Sequence, residues 1–296
     1  MGNKKNILIT GGSGFIGRNL VEQLKEKYNV FSPAHKELEL LDEGAVGAYF
    51  KKHKFEVVIH GAVRPGHRNA KDPSRQLYNN LRMFFNIARN YSQFGRLVFL
   101  SSGAVYDVSK PMAKVKEEYF DTYVPVDELG FSKYIISKYI EKIDNAIELR
   151  IFGIFGKYED YAIRFISNAL CKSLFDLPIT MKQNRMFDYL FIDDLIPVLN
   201  YFMENDFSHK AYNVTPDKSI ELLALAEKVK LISGNDLPVV IKDKTMGLEY
   251  SGDNSRLKSE ISNLKFTPVD SAIKKLYAWY LENKTLINKN LLLVDK

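Results

Sequence analysis

The chain has 296 residues, 46% hydrophobic and 26% charged, an ordinary balance for a globular protein with a large core. Its net charge of +6 comes from 42 basic and 36 acidic residues that are mixed along the sequence. This disfavours nucleic-acid binding, which usually requires clustered basic residues. The single cysteine, Cys171, excludes an intrachain disulfide and a multi-cysteine metal site, and no metal is predicted. No apolar run reaches the roughly 18 residues that a membrane span needs, and we expect the cytoplasm as the compartment because no signal peptide is evident.

Short apolar strands alternate with helical patterns in the first half. The predicted strands are residues 6–10, 29–32, 56–60, 96–101 and 146–151, and the predicted helices are residues 18–27, 43–52, 77–91 and 130–144. Apolar strands separated by helices form parallel sheets that are covered on both faces. The pattern therefore predicts an α/β fold with a doubly wound parallel sheet of the Rossmann type.

The second half predicts a smaller mixed α/β lobe. Its expected helices are residues 161–174, 193–204, 219–234 and 271–283, and its expected strands are residues 187–192, 212–215 and 239–242. Ser219 is the expected N-cap of the third helix, and the tail after Asn283 is expected to be loosely held. We place the first domain at residues 1–155, with returns near residues 180–205, and the interleaved lobe at residues 156–296.

Glycines at positions 11, 14 and 17 follow the first predicted strand, in the segment Thr10-Gly-Gly-Ser-Gly-Phe-Ile-Gly17. A strand-to-helix turn of this kind brings backbone N–H groups close to a pyrophosphate at the helix N-terminus. Spaced glycines alone are a weak signal, but here a strand precedes them and a helix follows. The segment therefore predicts a dinucleotide site.

The residues after the second strand bear on the choice of dinucleotide. Sites for NAD carry an acidic residue there for the ribose diol, whereas this chain reads Ser32-Pro33. Arg18, His35 and Lys36 lie nearby in sequence, and such cations tolerate a 2′-phosphate. We expect NADP(H) in preference to NAD(H); that Arg18 and Lys36 are ordinary surface charges is the alternative.

With further motifs in view, the chain resembles the extended short-chain dehydrogenase/reductases. The landmarks, in family order, are TGGSGFIG, VVIHGAV, Asn80, SSGAVYD, GFSK, LRIFGIFG, FDYLFIDDL and AYNV. Residues 35–42 look most like the GDP-fucose synthase branch, which uses NADPH. The resemblance implies an oxidoreductase or epimerase that exchanges hydride with a ring carbon of a nucleotide-diphosphate sugar. It slightly favours 4-keto reduction over 4-epimerisation and implies a homodimer, for which Met83, Phe84 and Phe85 are candidate interface residues if they are not core.

The resemblance also implies site residues. For the pyrophosphate they are Gly11, Gly14, Phe15, Ile16 and Gly17. For adenine they are Glu39 and Leu40, and for the nicotinamide-side ribose Gly61, Ala62 and Val63. The catalytic serine and lysine of the family correspond to Ser102 and Lys133, and the lysine also holds the ribose hydroxyls. Candidate substrate residues are Gly153, where the family often has asparagine, together with Arg185 and Arg256.

One departure from the family pattern concerns the general acid–base. The motif Tyr-Gly-x-Ser-Lys reads Leu129-Gly-Phe-Ser-Lys133 here, and leucine has no ionisable proton. Tyr134 and Lys138 form a second Tyr-x-x-x-Lys, but a shift of five residues turns a side chain by about 140° around a helix, which favours Tyr134 as a packing residue. Three explanations stay open: an engineered inactivating change, a substitute acid or substrate-assisted route, or a non-catalytic NADP-binding protein acting as a sensor or partner subunit.

Overall fold

The computed structural model describes residues 4–67, 69–70 and 73–294. In chain order, the strands are β1 Asn6–Thr10, β2 Asn29–Phe31, β3 Phe55–His60, β4 Phe94–Ser102, β5 Met112–Val115, β6 Ala146–Ile151, β7 Ile154–Phe155, β8 Ile179–Asn184, β9 Met186–Phe187, β10 Leu190–Phe191, β11 Ala211–Val214, β12 Ile220–Glu221, β13 Val239–Met246 and β14 Tyr250–Gly252. The α-helices are α1 Phe15–Leu24, α2 Glu43–Lys52, α3 Gln76–Ala88, α4 Glu128–Ile140, α5 Phe165–Ser173, α6 Leu195–Glu204, α7 Leu222–Ser233, α8 Ser255–Glu260 and α9 Val269–Glu282.

Six strands form the central sheet, in the order β11-β6-β4-β3-β1-β2, and every neighbouring pair is parallel. Because side chains alternate along a strand, Ile7 and Ile9 of β1 pack into one buried cluster with α1, α5 and α6. Leu8 packs into a second cluster with Phe50 of α2, Phe84 of α3 and Ile136 of α4. The sheet is thus covered on both faces, which confirms the predicted doubly wound Rossmann-type fold.

The smaller sheets belong mainly to the second half. One has the order β12-β9-β14-β5, and the pairs β10-β7 and β13-β8 lie apart from it. Strand β11 leaves this region and pairs with β6, with Ala211 opposite Glu148 and Val214 opposite Ile151. The interleaving of the two halves therefore includes a strand of the central sheet; the domain boundary at residue 155 stays a prediction.

Two local expectations for the second half are wrong. Helix α7 begins at Leu222 with Glu221 as N-cap, so Ser219 is not the cap, because Ile220 and Glu221 pair with β9 as a strand. The tail after Asn283 is held in place: it forms two short 3-10 turns, and Leu292 is completely buried. Its apolar side chains reach the main core cluster.

Among the helices that the structure describes, none is both long enough and apolar enough to cross a bilayer.

Candidate functional site

A cavity of about 570 Å³ lies at the carboxyl ends of β1 and β3, the edge of a doubly wound sheet at which ligands bind. The glycine turn, the segment after β2 and the loop after β3 line it. The predicted cofactor residues in its wall are Gly11, Gly14, His35, Glu39, Leu40, Gly61, Ala62 and Val63. The structure thus brings together three segments that are distant in sequence.

The glycine turn leaves no space for side chains at two of its positions. Gly11 has a φ of +75°, and a Cβ there would lie 2.8 Å from the Ala62 nitrogen. A Cβ at Gly17 would lie 2.6 Å from the Gly12 Cα and closer still to the Gly11 carbonyl oxygen. Gly14 is the N-cap of α1 and supplies no capping side chain. Backbone N–H groups at the start of α1 are therefore oriented as an anion-binding helix terminus requires.

The other predicted cofactor residues divide into two groups. Phe15 and Ile16 are partly buried and pack against the main core cluster, and Gly17 is buried. Of the three predicted cations only His35 is part of the cavity wall, with Nδ1 3.1 Å from Glu39 Oε2. The Arg18 guanidinium lies 3.7 Å from the centroid of the Tyr158 ring, and Lys36 is exposed. The alternative of ordinary surface charges therefore fits Arg18 and Lys36 better.

Several residues of the cavity wall were not anticipated, among them Leu38, Arg64, Asn79 and Met83. Asn80 holds the loop after β3, because its Oδ1 accepts from the Arg64 N–H at 2.7 Å. Arg64 directly follows the predicted Gly61–Val63 loop, so its sequence position was an available signal. Leu38 and Met83 look like any core residue in the sequence, and only the tertiary structure places them at the cavity.

The catalytic positions lie at the end of β4. Ser102 is half-buried, and its Oγ accepts from the Ala104 N–H at 3.4 Å. Helix α4 is capped by Asp127, whose Oδ1 accepts from the Gly130 N–H at 2.8 Å. A Cβ at Gly130 would lie 2.8 Å from the Ala104 carbonyl oxygen. This close approach places the first turn of α4, which carries Leu129, against the turn that follows Ser102.

Lys133 lies one helical turn after Leu129 and is only 9% exposed. Its Nζ donates to the Leu100 carbonyl oxygen at 3.5 Å and lies 5.4 Å from the centroid of the Phe99 ring. Burial lowers the pKa of Lys133 to about 8, and the nearby Glu148 carboxylate opposes that shift. A buried, weakly bonded ammonium group therefore lies beside the strand that ends at Ser102.

Tyr134 is engaged elsewhere. Its hydroxyl donates to the Asp121 carboxylate, and the Lys138 Nζ lies 2.8 Å from the other oxygen of that group. The Tyr134 ring packs against the Phe120 ring, with 5.2 Å between the ring centroids. The hydrogen bond to Asp121 raises the pKa of Tyr134. Asp121 is exposed, so the Tyr134 hydroxyl is held by a partner at the protein surface. These contacts favour a packing role for Tyr134.

The three candidate substrate residues differ in their surroundings. At Gly153 a Cβ would meet the Asp188 carbonyl oxygen and the Phe187 ring, so no longer side chain fits this backbone. Arg185 is half-buried, its guanidinium lies 5.1 Å from the Phe187 ring centroid, and its Nε has no hydrogen-bond partner among the described residues.

Arg256, the third candidate, is engaged by neighbouring groups. Its guanidinium pairs with Glu118, lies 3.6 Å from Glu117 Oε2 and donates to the Ala211 carbonyl oxygen at 3.1 Å. It lines a separate cavity of about 140 Å³ that does not include the glycine turn. These partners occupy the guanidinium, and a role for Arg256 toward the nucleotide stays a prediction. Within residues 4–67, 69–70 and 73–294, no group of His, Cys, Asp or Glu side chains is arranged to hold a metal ion.

Comparison with known proteins gives a consistent result. Residues 7–215 match the model of the NAD dependent epimerase/dehydratase family. The GDP-L-colitose synthase of Yersinia pseudotuberculosis is 24% identical, over 94% of this chain and 98% of that protein. The GDP-L-fucose synthase of Azorhizobium caulinodans is 34% identical over 36% of each chain. Among solved structures, a GDP-mannoheptose C4 reductase from Campylobacter jejuni with NADP bound has a TM-score of 0.82 at 24% identity, covering 95% of this chain and 99% of that one. A GDP-L-fucose synthetase from Naegleria fowleri has a TM-score of 0.84 at 20% identity, with 96% of each chain covered.

Proposed function

Because the chain belongs to the NAD dependent epimerase/dehydratase family, we propose that it is an NAD(P)-dependent enzyme that modifies a nucleotide-diphosphate sugar. Reduction of a 4-keto sugar is slightly favoured over 4-epimerisation. The observation that carries the proposal is the arrangement at the carboxyl edge of the central sheet. There the cavity of the glycine turn lies at the ends of β1 and β3, and β4, which pairs with β3, ends at Ser102 and is contacted by Lys133.

The residues present fit a dinucleotide, since the cradle at Gly11 and Gly17 is one that a Cβ would fill. The bound cofactor would supply the hydride for the reaction. NADP(H) is favoured over NAD(H), because the residue after β2 is Ser32, packed against Gly12, and not a carboxylate. His35 lies in the cavity wall and tolerates a phosphate. The NADP-bound state of the Campylobacter jejuni reductase also supports this choice.

Each remaining side chain has a proposed task. The Ser102 hydroxyl donates a hydrogen bond to the reacting sugar oxygen, and the Lys133 ammonium orients the ribose hydroxyls. Arg185 binds the diphosphate, which would give its buried, unpartnered Nε an acceptor. Gly153 keeps the strand close to Phe187 and contributes no side-chain amide.

We also propose a homodimer, in which the fully buried Phe84 makes no contact, while the half-buried Met83 and Phe85 stay candidates for the interface. Phe84 is completely buried, Phe85 packs against Tyr139 at 5.1 Å, and Met83 lines the cavity. Light scattering on the purified protein measures the mass that decides between monomer and dimer.

A second function, a non-catalytic NADP-binding sensor or partner subunit, is favoured by one observation, Leu129 at the position of the family's tyrosine. The two functions differ in turnover. The test is calorimetry with NADPH and NADH on the full chain, followed by NADPH oxidation with a panel of 4-keto nucleotide sugars. The chain is compared with Leu129→Tyr and with Leu129→Phe, a control that adds the ring without the hydroxyl.

The outcomes separate the alternatives. We expect NADPH binding and turnover by the unchanged chain, with a higher rate for Leu129→Tyr and none of that gain for Leu129→Phe. Turnover by Leu129→Tyr alone would indicate an enzyme scaffold disabled at one position. Tight NADPH binding without turnover by any variant would favour the sensor. Absence of binding to either cofactor by a folded chain would refute both functions.

A further inference from the structure

The leucine side chain at position 129 has no ionisable proton, so in the proposed reaction another group must supply the proton. Most titratable groups near the end of β4 are already engaged. The Tyr106 hydroxyl donates to Asn213 Oδ1 at 2.6 Å and accepts from Arg150 at 2.9 Å. His60 Nδ1 is paired with Thr10 Oγ1 at 2.8 Å, and burial lowers the pKa of His60 to about 3. Tyr250 is buried beneath Gly103.

Lys133 differs from these groups in how loosely its Nζ is held. The contact with the Leu100 carbonyl oxygen, at 3.5 Å, is long for a charged hydrogen bond, which is typically about 2.7–2.9 Å. Ser102 follows two residues later on the same strand, a rise of about 6.6 Å at roughly 3.3 Å per residue. The four-carbon stem of lysine is flexible, so rotation about its bonds can carry the ammonium toward Ser102.

We propose that Lys133 donates the proton to the reacting sugar oxygen, in place of the hydroxyl that leucine at position 129 lacks. The inference rests on the proposed function, 4-keto reduction. A bound reduced nicotinamide would supply the hydride to the carbonyl carbon, whose π electrons would move to the oxygen. An N–H bond of the Lys133 ammonium breaks as the new O–H bond forms. The neutral amine then takes a proton from water.

The charges around Lys133 suit this task. The Glu148 carboxylate, on β6, favours the protonated form of Lys133. The same carboxylate pairs with Arg150, whose Nε lies 3.0 Å from Glu148 Oε2. His60 is uncharged at neutral pH, and Tyr106, on the turn that packs against α4, is a neutral phenol with a raised pKa. With a pKa of about 8, the ammonium is largely protonated at pH 7 yet releases its proton more readily than an exposed lysine. General acids work best when their pKa is near the working pH.

Titration provides a test that does not need turnover. We expect one lysine Nζ signal in the NMR spectrum of the isotope-labelled chain to titrate near pH 8, and to be absent from Lys133→Ala. In turnover, kcat should be constant below that pH and fall tenfold per pH unit above it. A Lys133 signal that titrates at the ordinary value near 10.5 would overturn the proposal, as would an unchanged alkaline fall of kcat in Lys133→Ala.

Substitution provides a second test. Lys133→Ala should lose about 10²–10⁴-fold in kcat, and small primary amines such as ethylamine should restore part of it. Lys133→Arg keeps the charge, but a guanidinium does not give up a proton in proteins, so this variant should bind NADPH without turnover. Lys138→Ala, which removes an exposed cation from the same helix, is the control and should retain its activity. Failure of every amine to rescue a folded Lys133→Ala would contradict proton donation.

The failure of this inference can be told from the failure of the proposed function. If Leu129→Tyr reduces 4-keto sugars while the unchanged chain is inert, the function stands and the role of Lys133 falls. If neither turns over any sugar despite intact folding, the proposed function itself is wrong.

Discussion

Two glycines within helices, Gly17 in α1 and Gly47 in α2, form a matched pair for testing the glycine turn. Alanine is favoured over glycine in a helix by about 1 kcal/mol, so this gain applies to both substitutions. A Cβ at Gly47 would meet nothing within 4 Å, and Gly47→Ala should be stabilising by about that amount. A Cβ at Gly17 would instead collide with backbone atoms of Gly11 and Gly12, which no change of rotamer relieves.

The magnitude follows from comparing these effects. Overpacking costs about 1–3 kcal/mol, and the upper part of that range, about 2–3 kcal/mol, applies here because the atoms met are backbone. After the helix gain of about 1 kcal/mol, Gly17→Ala should lose about 1–2 kcal/mol. At about 2–4 °C per kcal/mol, its Tm should fall by roughly 2–8 °C, whereas that of Gly47→Ala should rise by roughly 2–4 °C. Movement of the turn also displaces the N–H groups that would hold the pyrophosphate, so NADPH affinity should fall at least about tenfold, a loss of 1.4 kcal/mol.

The assay combines thermal unfolding with calorimetric titration of NADPH for the two variants and the unchanged chain. Gly17→Ala with unchanged Tm and unchanged affinity would refute the steric argument. A loss of affinity in Gly47→Ala as well would show that the effect is not specific to the turn.

Three further predictions concern stability. His60 has a folded-state pKa of about 3 against 6.5 for the free side chain, so the unfolded chain binds the extra proton. The free energy of unfolding, measured by urea titration, should fall as the pH drops below 6.5, by about 2 kcal/mol at pH 5. The same titrations on His60→Asn should show a shallower fall. Glu148→Gln leaves the buried Arg150 without its charge partner and should lower the free energy of unfolding in urea by about 3–5 kcal/mol. Glu141→Gln, on the surface, is the control; an equally small loss in both variants would count against this prediction. Asp127→Ala removes the cap of α4 and should cost about 1 kcal/mol, whereas Asp127→Asn, which keeps an acceptor, should cost less in the same assay.

Much of the fold could be predicted because the strands of the central sheet are apolar runs bounded by turns. Residues 43–52 and 146–151 were predicted with the bounds that the structure has. The smaller sheets were harder. Strand β5 has only four residues, and the two buried ones stand at its ends and do not alternate with exposed ones. Strand β14 is Tyr-Ser-Gly, so neither strand carries a periodic signal. Their pairing depends on tertiary contacts with each other and with β9.

The candidate site shows the same division. The glycine turn was predicted because backbone geometry dictates residue type there, and the residues after β3 were implied by the family resemblance; both line the cavity. The surroundings of charged side chains were not predictable. Arg256 and Arg18 are equivalent cations in a sequence, and only the structure shows Glu117 and Glu118 beside the first and the Tyr158 ring beside the second.

Strand β11 has a consequence for biosynthesis. It is an edge strand of the central sheet and pairs with the outer edge of β6. Some 60 residues separate the two strands along the chain. Until residue 214 leaves the ribosome, β6 presents unpaired N–H and C=O groups of the kind that recruit foreign strands. A chain truncated before residue 211 should therefore aggregate, and the nascent chain should need protection from a chaperone until β11 has docked.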